Sequence, residues 1–305
     1  MRKALGTIAI VFFLIFGLTV IISISGVVSI LAPETASLNK EAVLFLKLDG
    51  VIIDGEKILE DIKTYAKEDK IKAVLVQINS PGGVVGPSQE IYEELKRVRK
   101  ELEKPVVVSC NAVTASGGYY VAVAADKIIT NPGTIMGSIG VIMEFANLEG
   151  VYDWAKVKRF TINTGAYKDS GSSYRNMRDD EKNLFQSMLN EVHVQFKKAV
   201  AEGRKLPMSR VVPYADGRVF TGEMAVKLGF ADQVGTLEDA RRIAGELAGL
   251  GEDPMMFSPP KERPSLSEIL SEVRAPNLIQ ELKNSLYSSS LLGIPLYLMP
   301  GTSVR

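Results

Sequence analysis

The chain has 305 residues, of which 46% are hydrophobic and 24% are charged, a balance typical of a folded protein with a sizeable core. Its 36 basic and 36 acidic residues cancel, so no overall basic bias points to a nucleic-acid partner. A single cysteine excludes an intrachain disulfide. Because the chain also has only one histidine, a structural zinc site is nearly excluded.

The first segment predicts a membrane anchor. Arg2 and Lys3 precede residues 4–32, which carry no charge. This run exceeds the ~20 residues that a bilayer helix needs and the ~7–15 of a cleavable signal peptide. We therefore expect a cytoplasmic stub (1–3), a transmembrane signal anchor (4–32) and a polar neck (33–41), with a long signal peptide as the alternative. The positive-inside rule then predicts a single-pass protein whose main domain lies outside the cytoplasm.

The segment that follows alternates between strands and helices. Apolar runs predict strands at 43–48, 73–79, 105–110 and 127–130, and helical periodicity predicts helices at 58–66 and 88–103. The run at 73–79 is nearly continuous, as in a parallel strand that is buried on both faces. This alternation indicates an α/β fold with largely parallel pairing.

The second half is predicted to be mostly helical. A polar loop at 160–173 precedes a long amphipathic helix at 179–205, and further helices follow at 222–228 and 236–248. We place the end of the compact domain at residue 250, which gives a domain of residues 42–250. The remainder, 251–305, is a Pro/Ser-rich linker and tail, with two amphipathic segments between 266 and 286 and an apolar strip at 291–299.

One serine stands where a nucleophile would be exposed. Ser116 lies at a strand-to-helix turn among small residues, and the glycine turn at 80–83 follows another strand. A nucleophilic serine also needs backbone N–H groups aimed at the oxyanion, and a base. His193, inside the long helix, is interpreted as a surface histidine. Lys168, in the polar loop, is interpreted from the sequence as an ordinary surface lysine. A lysine is nevertheless the alternative base, because Ser-Lys pairs are a variant of the serine triad.

Three further features have structural interpretations. Cys110, at a strand end, is expected to be a small buried hydrophobe. Trp154 and Phe160 are expected in the core or in an interface. The strip at 291–299 is too short and proline-broken to cross a membrane, so it either packs on its own or a neighbouring domain, or occupies a peptide groove.

Four motifs occur together in order: Ser-Pro-Gly-Gly at 80–83, Ala-Ser-Gly-Gly-Tyr-Tyr at 115–120, Met-Gly-Ser-Ile-Gly at 136–140 and Tyr-Lys-Asp at 167–169. With the N-terminal anchor, this set resembles the short bacterial form of the signal peptide peptidase A family, the membrane-anchored serine peptidases of family S49. The resemblance implies a crotonase/ClpP-like spiral of ββα units, preceded by a single N-terminal transmembrane helix in the bacterial cytoplasmic membrane. It makes residues 42–250 the Ser-Lys peptidase domain.

The resemblance also implies residue roles. Ser116 is the nucleophile and Lys168 the general base, with Ser138 orienting the lysine. The backbone N–H groups of Gly83 and Ser116 form the oxyanion hole, and no metal or cofactor is required. The expected partners are the bilayer and apolar peptides such as cleaved signal peptides. A ring- or dome-shaped homo-oligomer is also implied, in which adjacent subunits share the dyad.

Rival interpretations remain open at this point. The chain could be another membrane-bound Ser-Lys peptidase of the same superfamily. It could instead be a crotonase-type enzyme acting on CoA thioesters, since the spiral fold and the paired glycine turns are shared. A membrane scaffold that keeps the fold without catalysis is the third alternative. The Ser116 and Lys168 pair argues against the last two.

Overall fold

The computed structural model describes residues 38–260 and 293–299. The predicted signal anchor at 4–32 and the amphipathic segments at 266–286 lie outside the described residues. Within the described ranges, no helix combines the length and the apolar character that a bilayer crossing requires.

An eight-stranded sheet forms the centre of the fold, in the order β7-β6-β4-β2-β1-β9, with β5 paired to β4 and β8 paired to β5. Every pairing in it is parallel except β6 with β7. A separate two-stranded sheet joins β3 and β10. The strands are β1 (Ala42–Asp49), β2 (Ile71–Ser80), β3 (Gly82–Val84), β4 (Val106–Ala115), β5 (Lys127–Thr130), β6 (Ile135–Gly137), β7 (Val219–Thr221), β8 (Gln233–Val234), β9 (Met256–Phe257) and β10 (Leu296–Leu298).

Helices connect these strands. They are α1 (Glu56–Tyr65), α2 (Val85–Lys100), α3 (Gly117–Ala122), α4 (Glu149–Trp154), α5 (Asp179–Arg204), α6 (Met208–Val211), α7 (Gly222–Leu228) and α8 (Leu237–Leu247), with a 3-10 turn at Val212–Tyr214. The parallel pairing and the βα alternation confirm the α/β prediction. The helix α4 was not predicted.

The sheet has a core on each face because side chains alternate along each strand. On β2, Val74, Val76 and Ile78 enter the larger core, which α1, α2, α3 and α5 cover. The intervening Ala73 and Leu75 enter a smaller core closed by α8. The strands are therefore buried on both faces, as the continuous apolar run in β2 predicted.

The largest departure from the predicted elements is at β4. The sequence predicts a strand that ends near Cys110, but β4 continues to Ala115 because its last residues pair with β6 and Thr114 with Ser80 of β2. Two strands also come from beyond residue 250, since β9 pairs with β1 and β10 with β3. The extended β4 carries the chain to Ser116.

Candidate active site

The glycine turn at 80–83 forms one wall of the site. The N–H of Gly82 donates to the Ser80 hydroxyl at 3.1 Å, which fixes the turn. Ile52 donates to the carbonyl of Gly82 and accepts from the N–H of Val84, at 2.9 and 2.7 Å. Because neighbouring residues of a strand point to opposite edges, the N–H and C=O of Gly83 face away from Ile52. A Cβ on Gly83 would lie 2.0 Å from the Ile52 carbonyl oxygen, so only glycine fits.

Ser116 lies directly after β4, on a strained backbone. Its φ is 51° and its ψ −119°, a conformation that costs a non-glycine residue free energy and clusters at functional sites. The side chain is buried, and its Oγ has no hydrogen-bond partner among the described residues. A buried hydroxyl without a partner is unfavourable for stability alone, so the position suits a nucleophile that awaits a base.

The Ser116 N–H is not free for the oxyanion-binding role predicted for it. The N–H of Ser116 donates to the carbonyl of Gly137 at 2.8 Å, so it is already used by the pairing of β4 with β6. The N–H of the next residue, Gly117, is nearer to the groove: its nitrogen lies 2.6 Å from the point where a Cβ on Gly82 would stand. Gly83 and Gly117 therefore replace Gly83 and Ser116 as the candidate donors.

Ser138 lies at the end of β6, also with a left-handed backbone, at a φ of 52°. It is 3% exposed, and its N–H donates to the Arg218 carbonyl at 2.8 Å. Its side chain lines a cavity of about 340 Å³ that His193, Asn190, Ile142 and other residues also border. A cavity with polar groups in its wall, next to a buried hydroxyl, can admit another polar side chain.

His193 is less exposed than the sequence suggests. Its Nε2 is buried without a hydrogen-bond partner, in the wall of the same cavity. Burial and the positive charge of Lys197 lower its pKa, while the backbone carbonyls of Ala215 and Ile139 act in the opposite direction. No described hydrogen bond links it to Ser116, so the structure does not pair the two as nucleophile and base.

Lys168 lies on the exposed loop between α4 and α5, as predicted. Its side chain is exposed, and within the described ranges its Nζ makes no hydrogen bond or ion pair, with the Ser116 hydroxyl or with any other group. The structure therefore does not bring the two predicted dyad residues together within one chain.

An ionic cluster missed in the sequence holds this loop on α5. Arg175 donates to Glu181 at 2.6 Å and to Asp169 at 3.2 Å, and the Glu181 side chain is fully buried. Hydrogen bonding from Arg175 lowers the pKa of Glu181 to about 2. The signal was the helix N-terminal spacing of Arg178 and Glu181, because the carboxylate of a residue at the third helical position can accept from the backbone N–H of the residue before the helix, as Glu181 does from Arg178 at 2.9 Å. The cluster fixes the residue next to Lys168.

The end of α4 and the loop that follows it expose large apolar side chains. Trp154 and Phe160 are each 83% exposed and Ile162 is 92% exposed. Trp154 and Phe160 are thus not core residues, which corrects one of the two expectations for them. Several large apolar side chains exposed on one segment are typical of an interaction surface.

The tail strand β10 fills the space in front of Ser116. It runs antiparallel to β3 in the register Leu296–Val84, Tyr297–Gly83 and Leu298–Gly82. The N–H of Val85 donates to Pro295 at 3.4 Å, and that of Met299 donates to Pro81 at 2.9 Å. By the alternation of an antiparallel ladder, Tyr297 and Gly83 form the hydrogen-bonded pair between these two.

The second edge of β10 is also bonded. Leu296 and Ile142 exchange two backbone hydrogen bonds, at 2.9 and 3.0 Å. The carbonyl oxygen of Tyr297 lies 1.9 Å, and the Cβ of Ser116 3.0 Å, from the point where a Cβ on Gly82 would stand. A peptide carbonyl thus lies beside the candidate nucleophile and faces the N–H of Gly83.

Other chemistries find less support in the described ranges. No cluster of three or more His, Cys, Asp or Glu side chains there is placed to hold a metal ion. Cys110 is 1% exposed, and burial raises the pKa of its thiol to about 12. The thiol is therefore the buried hydrophobe that the sequence predicted, and not a nucleophile.

Two known protein families match parts of this chain. Residues 98–251 match the family described as peptidase family S49, and residues 34–136 match the Clp protease family. The second match supports the ClpP/crotonase-like character of the α/β fold. Together the two matches cover the turns at 80–83 and 115–120, as well as Ser138 and Lys168.

Several similar curated proteins are proteases or peptidases by name. The chain is 41% identical to a putative protease of Synechocystis over 70% of this chain and 77% of the relative. It is 39% identical to a putative protease of Methanocaldococcus jannaschii, over 63% of this chain and 60% of the relative. It is 34% identical to a putative signal peptide peptidase of Enterococcus faecium, over 68% and 63%. The chain thus spans less than two thirds of the last two relatives.

Proposed function

Because the chain belongs to peptidase family S49 and is a serine-type peptidase, we propose that it is an endopeptidase that cuts extended apolar peptides with a Ser116–Lys168 dyad. The observation that carries the proposal is the position of β10. A strand of apolar sequence lies in a groove beside Ser116, with one peptide carbonyl against the candidate oxyanion donor Gly83. A substrate strand in the same place would present its scissile carbonyl to Ser116.

The proposed reaction follows ordinary acyl-transfer chemistry. The neutral amine of Lys168 takes the proton of Ser116 as Oγ attacks the carbonyl carbon, and the N–H groups of Gly83 and Gly117 stabilise the oxyanion. The lysine then protonates the leaving amine, and the peptide bond breaks to leave an acyl-enzyme. Water hydrolyses the ester with the lysine again acting as base. Ser138, beside the cavity, orients the lysine.

We propose that Lys168 reaches Ser116 of a second copy of the chain. Two observations support this: the Ser116 hydroxyl has no hydrogen-bond partner, and hence no base, among the described residues of its own chain, and Lys168 is exposed without a partner in the same ranges. The exposed Trp154, Phe160 and Ile162 on the same segment provide an apolar surface for such packing. A lysine acts as a base only where burial favours its neutral amine, and packing against a second copy would supply that burial.

The membrane location is a further proposal. Its support is the uncharged run at 4–32 after Arg2 and Lys3, a pattern that predicts a bilayer anchor with the peptidase domain outside the bacterial cytoplasm. Cleaved signal peptides, which are apolar and extended, would then be the available substrates, as the name of the Enterococcus relative indicates for that protein. Recovery of the full-length chain from carbonate-washed membranes would support the anchor, whereas release into the wash would contradict it.

The proposal is tested by hydrolysis of an apolar fluorogenic peptide between pH 6 and 10. We expect Ser116→Ala and Lys168→Ala to lose about a thousandfold or more in kcat, with His193→Ala active. The pH at which the wild-type rate rises reports the ionisation of the base. Loss of activity in His193→Ala alone would show that the wrong base was chosen. A folded, assembled and inactive wild type would favour the CoA-thioester and scaffold alternatives.

A further inference from the structure

Ser88 is a fully buried serine in the first turn of α2, four residues after the end of β3. Its hydroxyl donates to the carbonyl of Val84, the last residue of β3, at 2.9 Å. Among the described residues, no side chain caps α2 at Val84, so the Ser88 hydroxyl is a side-chain link across the junction between β3 and α2. Because β3 carries Gly83, this link acts on a strand of the candidate active site.

The Ser88 hydroxyl also lies against the second candidate oxyanion donor. A Cβ on Gly117 would stand 2.6 Å from the Ser88 Oγ and 3.1 Å from the nitrogen of Gly83. The hydroxyl and the Gly83 nitrogen therefore both border the same side of Gly117, where a side chain would not fit. One buried hydroxyl thus bonds the strand that holds one donor and packs against the backbone of the other.

The stability of α2 does not explain a serine at this position. Alanine is the better helix former, and a serine hydroxyl that bonds the carbonyl one turn back slightly destabilises a helix. The carbonyl of the residue before a helix also accepts the first intrahelical backbone bond, so Val84 does not depend on the hydroxyl for a partner. The contacts of Ser88 with β3 and Gly117 explain the hydroxyl better than the helix that carries it.

We infer that Ser88 is a positioning residue for the oxyanion hole and sets the distance between the N–H groups of Gly83 and Gly117. The inference rests on the proposed function, because this distance affects the rate only if an oxyanion forms next to Ser116. Oxyanion donors act through a fixed geometry, so a small displacement of one N–H slows the chemical step. It does not weaken the binding of the extended peptide, which is held before the oxyanion forms.

The kinetic test compares the full-length wild type with Ser88→Ala and Ser88→Thr on the apolar fluorogenic peptide. Ser88→Ala should lower kcat about 10- to 30-fold and leave KM within about twofold, because the lost interaction is made only in the transition state. Its melting temperature should stay within about 4 °C of the wild type. Ser88→Thr keeps a hydroxyl that can bond the carbonyl one turn back, so kcat should return to within about threefold of the wild type.

The matched control is Ser109→Ala on β4, which removes another buried serine hydroxyl. We expect kcat and KM of this variant to stay within about twofold of the wild type, because it touches neither candidate donor. An equal fall in kcat for Ser109→Ala and Ser88→Ala would show that the loss of any buried hydroxyl has this effect, and it would overturn the inference.

Two inhibitors separate positioning from a structural effect. A peptide aldehyde forms a bond between its carbonyl carbon and the Ser116 Oγ as the serine proton passes to the base, and its oxygen then occupies the oxyanion hole. The matching peptide alcohol binds the groove without forming this adduct. Ser88→Ala should raise the inhibition constant of the aldehyde about 10-fold and that of the alcohol less than about twofold. An equal rise for both would show a merely structural role.

A wild-type kcat in Ser88→Ala would overturn the inference and leave the peptidase proposal intact. Failure of the wild type to cut any peptide would instead contradict the proposed function. If the added methyl group prevents Ser88→Thr from folding, Ser88→Ala and the two inhibitors still decide the question.

Discussion

The Ser116 turn and the Lys168 loop are built in opposite ways. Ser116 is held by β4, β6 and the start of α3, is buried, and keeps a strained backbone. Lys168 lies on an exposed loop whose neighbouring residue is fixed by Asp169, Arg175 and Glu181, but whose own amine has no partner in the described part of the chain. The candidate nucleophile is thus held in a fixed, buried turn within one chain, and the candidate base is exposed on the surface.

The largest effect is expected when Ser116 and Lys168 are supplied by different chains, which tests whether the dyad forms between copies. Ser116→Ala and Lys168→Ala, each inactive alone, are co-expressed with different tags and purified through both. If the dyad forms between copies, about a quarter of the sites in the mixed assembly regain Ser116 and Lys168 together, and activity returns. If it forms within one chain, the mixture stays inactive. Ser116→Ala mixed with the double variant is the control that must remain inactive.

Gly83→Ala tests the role of β3 and of the Gly83 N–H in the site around Ser116. Its Cβ would lie 2.0 Å from the Ile52 carbonyl oxygen, so β3 must move away from its neighbour. We expect a loss of about 1–3 kcal/mol in the free energy of unfolding, measured in urea, and a fall of at least about a hundredfold in kcat/KM.

The matched control is Gly86→Ala, a few residues further along the chain. A Cβ there meets no atom within 4 Å, so both quantities should stay close to the wild-type values. Similar effects of the two substitutions would show that β3 tolerates displacement and that the oxyanion donor is elsewhere.

Arg175→Met tests whether the ionic cluster holds the loop that carries Lys168 in place. It leaves the buried Glu181 carboxylate without its shortest ion pair, so the loop that carries Lys168 loosens. We expect about a 10-fold loss of kcat/KM and faster amide exchange across residues 165–175. Lys182→Met removes an exposed pair with Asp179 and should change neither.

The same cluster sets a pH dependence. The folded-state pKa of Glu181, about 2, lies below the ordinary 4.5, so its pairing stabilises the fold above pH 4.5. That contribution is lost as the pH falls from about 4.5 towards 2. Arg175→Met should flatten the acid side of the unfolding curve in this window; an unchanged curve would mean that the cluster contributes little.

The smallest expected effect comes from removing the tail. Deletion of residues 290–305 frees the groove, so the initial rate on a short peptide should rise about 3- to 10-fold, because a tethered competitor acts at high effective concentration. A smaller assembly would instead show that the tail helps to join copies. No change in either the rate or the assembly size, measured by light scattering, would contradict both roles.

The sequence supported a large part of this arrangement through local patterns. Buried strands, amphipathic helices and the position of Ser116 after a strand all follow from residue spacing. The pairing of β4 with β6 could not be predicted in this way, and it is beside this pairing that the Ser116 N–H is bonded to Gly137, which leaves Gly117 as the candidate oxyanion donor. The placement of β10 on β3 joins residues more than 200 positions apart, and no local pattern encodes such a contact.

The site residues also differ in how far a local sequence pattern could identify them. The roles of Ser116, Lys168, Ser138 and Gly83 came from the family resemblance, since single residues in glycine turns or polar loops have no distinctive spacing. The Arg175–Glu181 pair had a local signal at the start of α5, but its burial depends on how the loop folds back onto that helix.

The groove holds β10 by both backbone edges, with Gly83 on one side and Ile142 on the other. Apolar peptides aggregate when the free edges of their strands pair with further strands. A peptide held in this way has neither edge available where the groove covers it. The groove would therefore prevent a bound apolar peptide from aggregating with other peptides. This protection would last as long as the peptide is bound, whether or not its peptide bond is cut.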